Sequence, residues 1–339
     1  MWQVDNKTPF ATLGYFVRDR DGFEHWVVAL RATFNIRDDG LVALSETQES
    51  VHIAPAYADD KAGELLAESD IAPFRPKVDL TVSGAAVAVN QAPFRELPIS
   101  LTVGNFEKKA VAFGRRWLKR KGGNAGWSFE ASEQTITVPL SWSMALGGAD
   151  AFGGDKVYPL NPIGKGWSTN YDDIWPDTPL ELAQIEDPAH PFDVKRLPSP
   201  VGFGAIQPGW QPRLVHAGTY DGEWERGRAP LLPLDFSEQF HQAAPPDQIL
   251  DIKGGEPVTV VGLNAEGPYT FMLPQIIFEA VTRMGMRRDS HRLRLIGVHI
   301  EATKKRLSMI WNGSLPCSDD MSVDGSMVMF RQMAGVRLR

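Results

Sequence analysis

Residues 25–36 alternate without a break: Trp26, Val28, Leu30, Ala32, Phe34 and Ile36 fall on one side of an extended chain, and His25, Val27, Ala29, Arg31, Thr33 and Asn35 on the other. Successive side chains of a strand point to opposite faces, so this period predicts a half-buried strand with one apolar face. Residues 13–18 precede it. Asp19, Arg20, Asp21 and Gly22 supply turn chemistry between the two, which predicts a hairpin.

The same alternation recurs at 78–83, 99–103 and 134–142, and further strand-like segments lie at 109–117, 258–263, 269–273, 276–283, 293–300 and 305–311. Strands at this spacing with turns between them indicate antiparallel sheets. The expected fold is therefore mainly β, an antiparallel sandwich or barrel-like set of sheets. Long loops rich in Gly, Pro and Trp and one or two short helices complete it. Helices are expected at 59–68 and at 235–242, the latter capped by Asp235 with Glu238 as its capping-box partner. The chain reads as a single domain, residues 1–339, with an N-terminal β region (1–142), a loop-rich centre (143–250) and a C-terminal β region (251–339).

Composition narrows the class. Hydrophobic residues make up 43% and charged residues 23% of 339, ordinary values for a globular protein with a sizeable core. The net charge of −7 argues against a general nucleic-acid binder, which carries a basic footprint. With Cys317 as the one cysteine, an internal disulfide and a cysteine-based zinc site are excluded. No segment approaches the roughly 18 uninterrupted apolar residues of a membrane span, and no signal peptide is evident. A cytoplasmic, soluble protein without nucleic-acid or membrane partners is the expectation.

Residues 142–167, WSMALGGADAFGGDKVYPLNPIGKGW, carry no period at all. Glycine pairs and Asn161-Pro162 punctuate turns, and the aromatics argue against disorder, so an ordered loop packed on a sheet is expected. NPIGKG at 161–166 resembles a phosphate loop only superficially. Lys165 is followed by Gly166 rather than a hydroxyl residue, and no helix pattern follows. The seven histidines are scattered, with no metal-binding spacing, and no G-x-S-x-G elbow is present. Cys317 has no nucleophile signature. The acidic pairs Asp172-Asp173, Asp221 with Glu223, and Asp319-Asp320 offer carboxylates for glycoside hydrolysis, a chemistry set by their separation in space. Arg115, Arg116, Lys119, Arg120 and Lys121 read as a solvated loop joining two strands, with a phosphate or acidic-partner surface as the alternative.

Several segments together resemble a family of bacterial proteins, domain of unknown function 2169, whose genes lie in type VI secretion clusters. They are ESDIAPFRPKVDLTVSG (68–84), VGNFEKKAVAFGRRW (103–117), VPLSWSMALGG (138–148), AFGG (151–154), NPIGKGW (161–167), GFGAIQPGWQPR (202–213), GTYDGEW (218–224), PLLPLDF (230–236) and APPDQ (244–248). The chain departs from the family pattern at Arg75 (usually Lys), at Gly114-Arg115-Arg116 (usually Gly-Asp-Arg) and at Asn312 (usually Arg).

The resemblance implies an accessory adaptor with no enzymatic activity, cofactor or metal. It would help a secreted effector dock on a VgrG-type spike with a PAAR-repeat tip protein. Trp142, Phe152, Gly153, Gly154, Asn161, Pro162, Gly164 and Gly166 form the family motif, expected to be structural first. Aromatics and arginines anchor protein interfaces, which makes Trp175, Trp210, Arg213 and Trp224 of the unpatterned centre the candidate partner-binding residues. The alternative from another class is a carbohydrate-active hydrolase or sugar-binding protein using acidic and Trp residues of the same loops. A third reading makes the loops architectural and places the partner surface at an exposed strand edge.

Overall fold

The computed structural model describes residues 3–58, 63–121, 126–173, 178–317 and 323–337. The protein is mainly β, and the one α-helix among the described residues is Gly222–Gly227. The predicted hairpin forms from Ala11–Arg18 and Glu24–Ile36, paired antiparallel from Ala11 opposite Arg31 to Arg18 opposite Glu24.

Glu24–Ile36 lies inside an eight-stranded sheet. Arg306–Pro316 runs antiparallel along one of its edges, and Ala11–Arg18 and Val42–Leu44 share the other. Beyond Arg306–Pro316 come Arg294–Glu301 and then Val78–Ser83, and that last pairing is parallel. A five-stranded antiparallel sheet is ordered Ile185–Glu186, Phe106–Phe113, Glu96–Val103, Pro257–Val261, Tyr269–Met272. A four-stranded sheet joins Gln3–Asn6, Val323–Ala334, Gln275–Met284 and Arg287–Arg292. Strands from both ends of the chain share these sheets, and one core cluster runs from Trp26, Phe34 and Leu80 through Leu101 and Val258 to Phe278 and Trp311. Phe278 meets Trp311 edge to face at 4.9 Å between centroids. The Trp26 indole N–H donates to Ser326 Oγ at 2.7 Å, so even the polar atom of this fully buried ring is satisfied.

Glu24–Ile36 is not half-buried as its alternation predicts. From Trp26 to Phe34 both faces are covered. On the second face Ser45, Gln48, Glu49 and Asp70 make polar contacts that roof it. Arg31 lies between Asp70 (3.1 Å) and Glu49 (2.7 Å), and Arg306 also pairs with Glu49. Between the ends of the two flanking strands, the Gln48 amide stands in for a ladder partner: its Oε1 accepts from Thr33 N at 2.9 Å and its Nε2 donates to Thr33 O at 2.8 Å. Alternation reports the chemistry of a face and not what covers it, so a polar roof leaves no trace in the pattern.

His299 belongs to this layer, its ring nitrogens 2.9 Å from Thr81 Oγ1 and 3.0 Å from Ser83 Oγ. Burial, aided by the Arg31 charge, pushes its pKa down from 6.5 to about 4. The unfolded chain therefore takes up this proton near pH 6.5 and the fold only near pH 4. Stability is complete above the first value and falls as pH drops between the two, by about 3 kcal/mol for this group. His299→Gln is expected to flatten the pH dependence of the urea midpoint across that window. An unchanged slope would show that His299 is not the group responsible.

Other elements differ from expectation for identifiable reasons. Of the helix expected at 59–68, residues 59–62 lie outside the described residues and Leu65–Ala67 is a strand paired with Ala56–Tyr57. At 235–242 only the 3₁₀ turn Glu238–His241 forms. Ser237 caps it, because the Asp235 carboxylate accepts instead from Thr219 N and Oγ1. The strand expected at 134–142 shrinks to Val138–Pro139, where Pro139 has no N–H for a ladder, and Ser141 opens a 3₁₀ turn at Trp142–Met144.

The basic run is not a solvated loop. Trp117–Arg120 is a strand, Arg115 pairs with Glu181 at 3.2 Å, and Arg116 is buried against Glu186 and Ala183 O. Lys119 pairs with Glu130 at 2.5 Å, and Arg120 donates to Asp172 O at 2.6 Å.

Candidate functional site

The loop-rich centre adds Ile185–Glu186 to the edge of the five-stranded sheet and bonds through Gln242, Ala243 and Gln248 to Asp79 and Leu80 of the eight-stranded one, and residues 142–167 form the frame of its loops. Leu146–Gly147 and Lys165–Gly166 pair in parallel, closing the stretch on itself. Asn161, fully buried, donates from Nδ2 to Trp142 O at 2.8 Å and to Leu146 O at 3.0 Å. Gly147 has φ +151, and a Cβ there would stand 2.1 Å from Asn161 O, so only glycine fits. Gly164 closes the turn begun by Asn161 and Pro162, and Gly166 stacks on the backbone of Leu182 and Ala183. Phe152 packs on the cluster of Leu146, Tyr171 and Phe192, whereas at Gly153 and Gly154 an added Cβ would meet nothing within 4 Å. Lys165 of the apparent phosphate loop pairs with Glu181 at 3.2 Å.

Trp142 ties this frame to the next loop. Its backbone N–H donates to Glu64 Oε1 at 2.7 Å and its indole N–H to Ala205 O at 3.0 Å. A Cβ on Gly202 would lie 2.5 Å from the indole ring, so the chain passes directly over it. Trp210 stands edge-on to Trp142, 6.1 Å between centroids and perpendicular to it. Both rings are buried, and with Ala145 and Ile206 they make a small separate core.

Arg213 is buried as well. It pairs with Glu68 at 2.6 Å, donates to Phe240 O at 2.7 Å and Ile206 O at 2.8 Å, and lies over the Phe240 ring. Trp224 is half-buried on the α-helix, its indole donating to Leu231 O at 2.8 Å and its ring edge-on to Tyr220 at 4.8 Å. Trp142, Trp210 and Arg213 thus come together at the foot of one loop system, and Trp224 stands further out. Trp175 lies outside the described residues.

Beside Trp142 the loops leave a groove of about 1020 Å³. Residues 187–202 form one wall, Pro245, Pro246 and Asp247 another, and Trp142, Ile206 and Lys108 lie along it. Lys108 holds its two walls together, donating to Gly202 O (2.7 Å) on one side and to Gln248 Oε1 (2.8 Å) and Asp247 Oδ1 (3.1 Å) of one 3₁₀ turn on the other. Burial lowers its pKa against the pull of Asp247. At the rim, the Asp187 carboxylate accepts from Ala189 N and meets His190 Nδ1, both at 2.8 Å.

The wall at 197–201, Leu-Pro-Ser-Pro-Val, makes no hydrogen bond, backbone or side chain, with any other described residue. Pro198 and Pro200 fix their own φ and hold Leu197 and Ser199 extended. The result is an extended segment, preset in shape, with unspent donors and acceptors beside an open groove.

Of the sequence's acidic pairs, Asp221 caps the α-helix through Glu223 N and Trp224 N, Asp172 is exposed, and Asp319-Asp320 lies outside the described residues. Among the described residues no group of three or more metal-capable side chains converges, and no helix is long and apolar enough to cross a membrane. Burial pushes the Cys317 thiol upward. Sequence reasoning passed over Lys108, Gln248 and the wall at 197–201. The Pro-x-Pro spacing was the available signal for the wall, but nothing local marks a lysine whose three acceptors come from distant loops.

No curated protein and no solved structure matches the chain. Residues 21–312 match the model of a family described as an uncharacterized protein conserved in bacteria (DUF2169), and the chain belongs to that family.

Proposed function

We propose that this protein is a type VI secretion accessory adaptor: it binds a secreted effector in the cytoplasm and helps load it onto a VgrG-type spike with its PAAR-repeat tip. The observation that carries the reading is the groove with its extended, hydrogen-bond-free wall at 197–201. An extended polypeptide laid along that wall would pair its backbone with the free groups of Leu197, Ser199 and Val201, while the grooved surface selects side chains. Because the prolines hold the wall in shape beforehand, little ordering entropy opposes docking. Binding alone performs the task, and no bond in the cargo need be made or broken.

The test is recovery of partners from the native host. A tagged copy is expected to bring down an effector or a spike-tip protein, and deletion of the gene to stop secretion of that effector. Ser199→Pro removes one free N–H at an exposed position, and Ser199→Trp fills the groove. Both are expected to reduce recovery at least about tenfold, equivalent to about 1.4 kcal/mol, with the thermal midpoint unchanged. If neither an effector nor a tip protein is recovered and deletion leaves secretion intact, the adaptor reading is wrong.

A further inference from the structure

The segment after Arg213 departs from the rest of the centre. Residues 216–220 lie alongside 235–237, joined where Ser237 N donates to His216 O at 3.1 Å and Thr219 N to Asp235 Oδ1 at 2.9 Å. The helix Gly222–Gly227 closes the tip, and Pro233 packs under Gly218. Arg228 clips this unit to the turn of the first hairpin, donating to Arg20 O at 2.8 Å and Asp21 Oδ1 at 2.9 Å, and Leu231 rests against Gly22. The unit is therefore built and anchored, not loose.

It nevertheless leaves large apolar side chains in water. Leu234 is 72% exposed, Phe23 of the clipped turn 67%, Val215 62% and Tyr220 54%. Single exposed apolar residues are ordinary, but several on one small rigid unit mark an interaction surface. The charges around them have one prevailing sign. Asp221, Glu223, Glu225 and Asp235 are exposed, with Asp21 beside Phe23, against Arg226 in the segment and Arg20, paired to Asp21, in the clipped turn. Arg228 is already committed to Asp21.

We propose that this platform is a second docking surface, separate from the groove, for a protein segment that presents apolar side chains flanked by lysine or arginine. The apolar residues would supply contact area and the carboxylates would select and steer a cationic partner. The proposal rests on the adaptor reading: the groove would hold one partner and the platform the other, so that cargo and spike need not compete.

Two fluorescein-labelled 16-residue peptides with the same leucine pattern, one with a lysine polar face and one with glutamate, serve as probes in fluorescence anisotropy. The lysine peptide is expected to bind at least about tenfold more tightly than the glutamate peptide, a difference of about 1.4 kcal/mol, and to weaken as salt rises. Phe23→Ser with Leu234→Ser is expected to cost a further factor of about ten at an unchanged thermal midpoint. Should that pair lower the midpoint, Glu223→Lys with Glu225→Lys decides, since both side chains are exposed, and it is expected to abolish the preference for lysine. Equal binding of the two peptides, or full affinity in the variants, overturns the proposal. So does a concentration-dependent dimer in sedimentation that Leu234→Ser dissolves, because the surface would then belong to a second copy. Ser199→Pro is expected to leave peptide binding unchanged, so failure of the platform and failure of the groove-based reading are separable.

Discussion

Arg31→Ala is expected to destabilise the protein by roughly 3–5 kcal/mol, the range for removing one partner of a buried ion pair. Arg31 and Asp70 are 4% and 3% exposed and lie 3.1 Å apart. Without the guanidinium, Asp70 keeps the backbone N–H of His52 as a donor at 2.8 Å but loses the opposing charge. Glu49 would retain Arg306, so the loss concentrates on Asp70. In equilibrium urea unfolding the midpoint should fall with the slope unchanged. Arg31→Met combined with Asp70→Asn should recover a large part of the loss, since the isolated buried charge is then gone. A single-variant loss under about 1 kcal/mol, as found for exposed pairs, would mean that water reaches the pair and the roof is not closed.

Trp210→Ala should have the second largest effect, about 3–5 kcal/mol, the scale for truncating a buried large aromatic. Trp210 is 6% exposed and forms, with Trp142, Ala145 and Ile206, a cluster of its own under the groove. Losing the ring removes the perpendicular contact to Trp142 and leaves space beneath the loop that carries Arg213. Trp224→Ala should cost much less, because that ring is half-buried and packs against Tyr220 at the edge of the platform. Thermal midpoints of the two variants, measured together, check the contrast. A midpoint shift for Trp210→Ala no larger than for Trp224→Ala would make Trp210 a contact residue and leave the loop core to Trp142.

The order of effects bears on how the centre works. Trp210 and Arg213 have the residue types of interface anchors, yet their polar and aromatic valences are spent inside the molecule, on Trp142, Glu68, Phe240 O and Ile206 O. They fix the foot from which the platform at 214–236 projects. The groups left unspent are the wall at 197–201 and the apolar side chains of the platform. Partner contact in the proposed function therefore falls on residues of ordinary type, held in place by the conspicuous ones.

Much of the fold was legible because a strand's side-chain period is local. The run at 25–36 located its strand nearly to the residue, and the turn at 19–22 located the hairpin. Where backbone chemistry competes with pattern, legibility failed. Pro139 cut short a well-patterned strand, and Thr219 drew the Asp235 carboxylate away from the cap expected of it. The helix at 222–227 had a readable start in Asp221, but six residues are too few for a helical period to show. The strand Val323–Ala334, missed in the sequence reading, interleaves charged and polar residues with its apolar ones, and neighbouring sheets, not its own pattern, bury Val323 and Val328.

The sequence by itself determined the β class, the hairpin, the turn at Asn161-Pro162 and the family, because each rests on spacing along the chain, whereas Gly147, expected in a turn, lies in the strand Leu146–Gly147. Only the tertiary structure decided that Glu24–Ile36 is buried on both faces, that strands from both ends of the chain share sheets around one core, and that Lys108 joins two distant loops beside a groove. Those features depend on contacts between residues tens to hundreds of positions apart, such as Trp26 with Ser326 and Arg31 with Asp70. Partners at that separation are set by packing and burial of the whole chain, which no local period encodes.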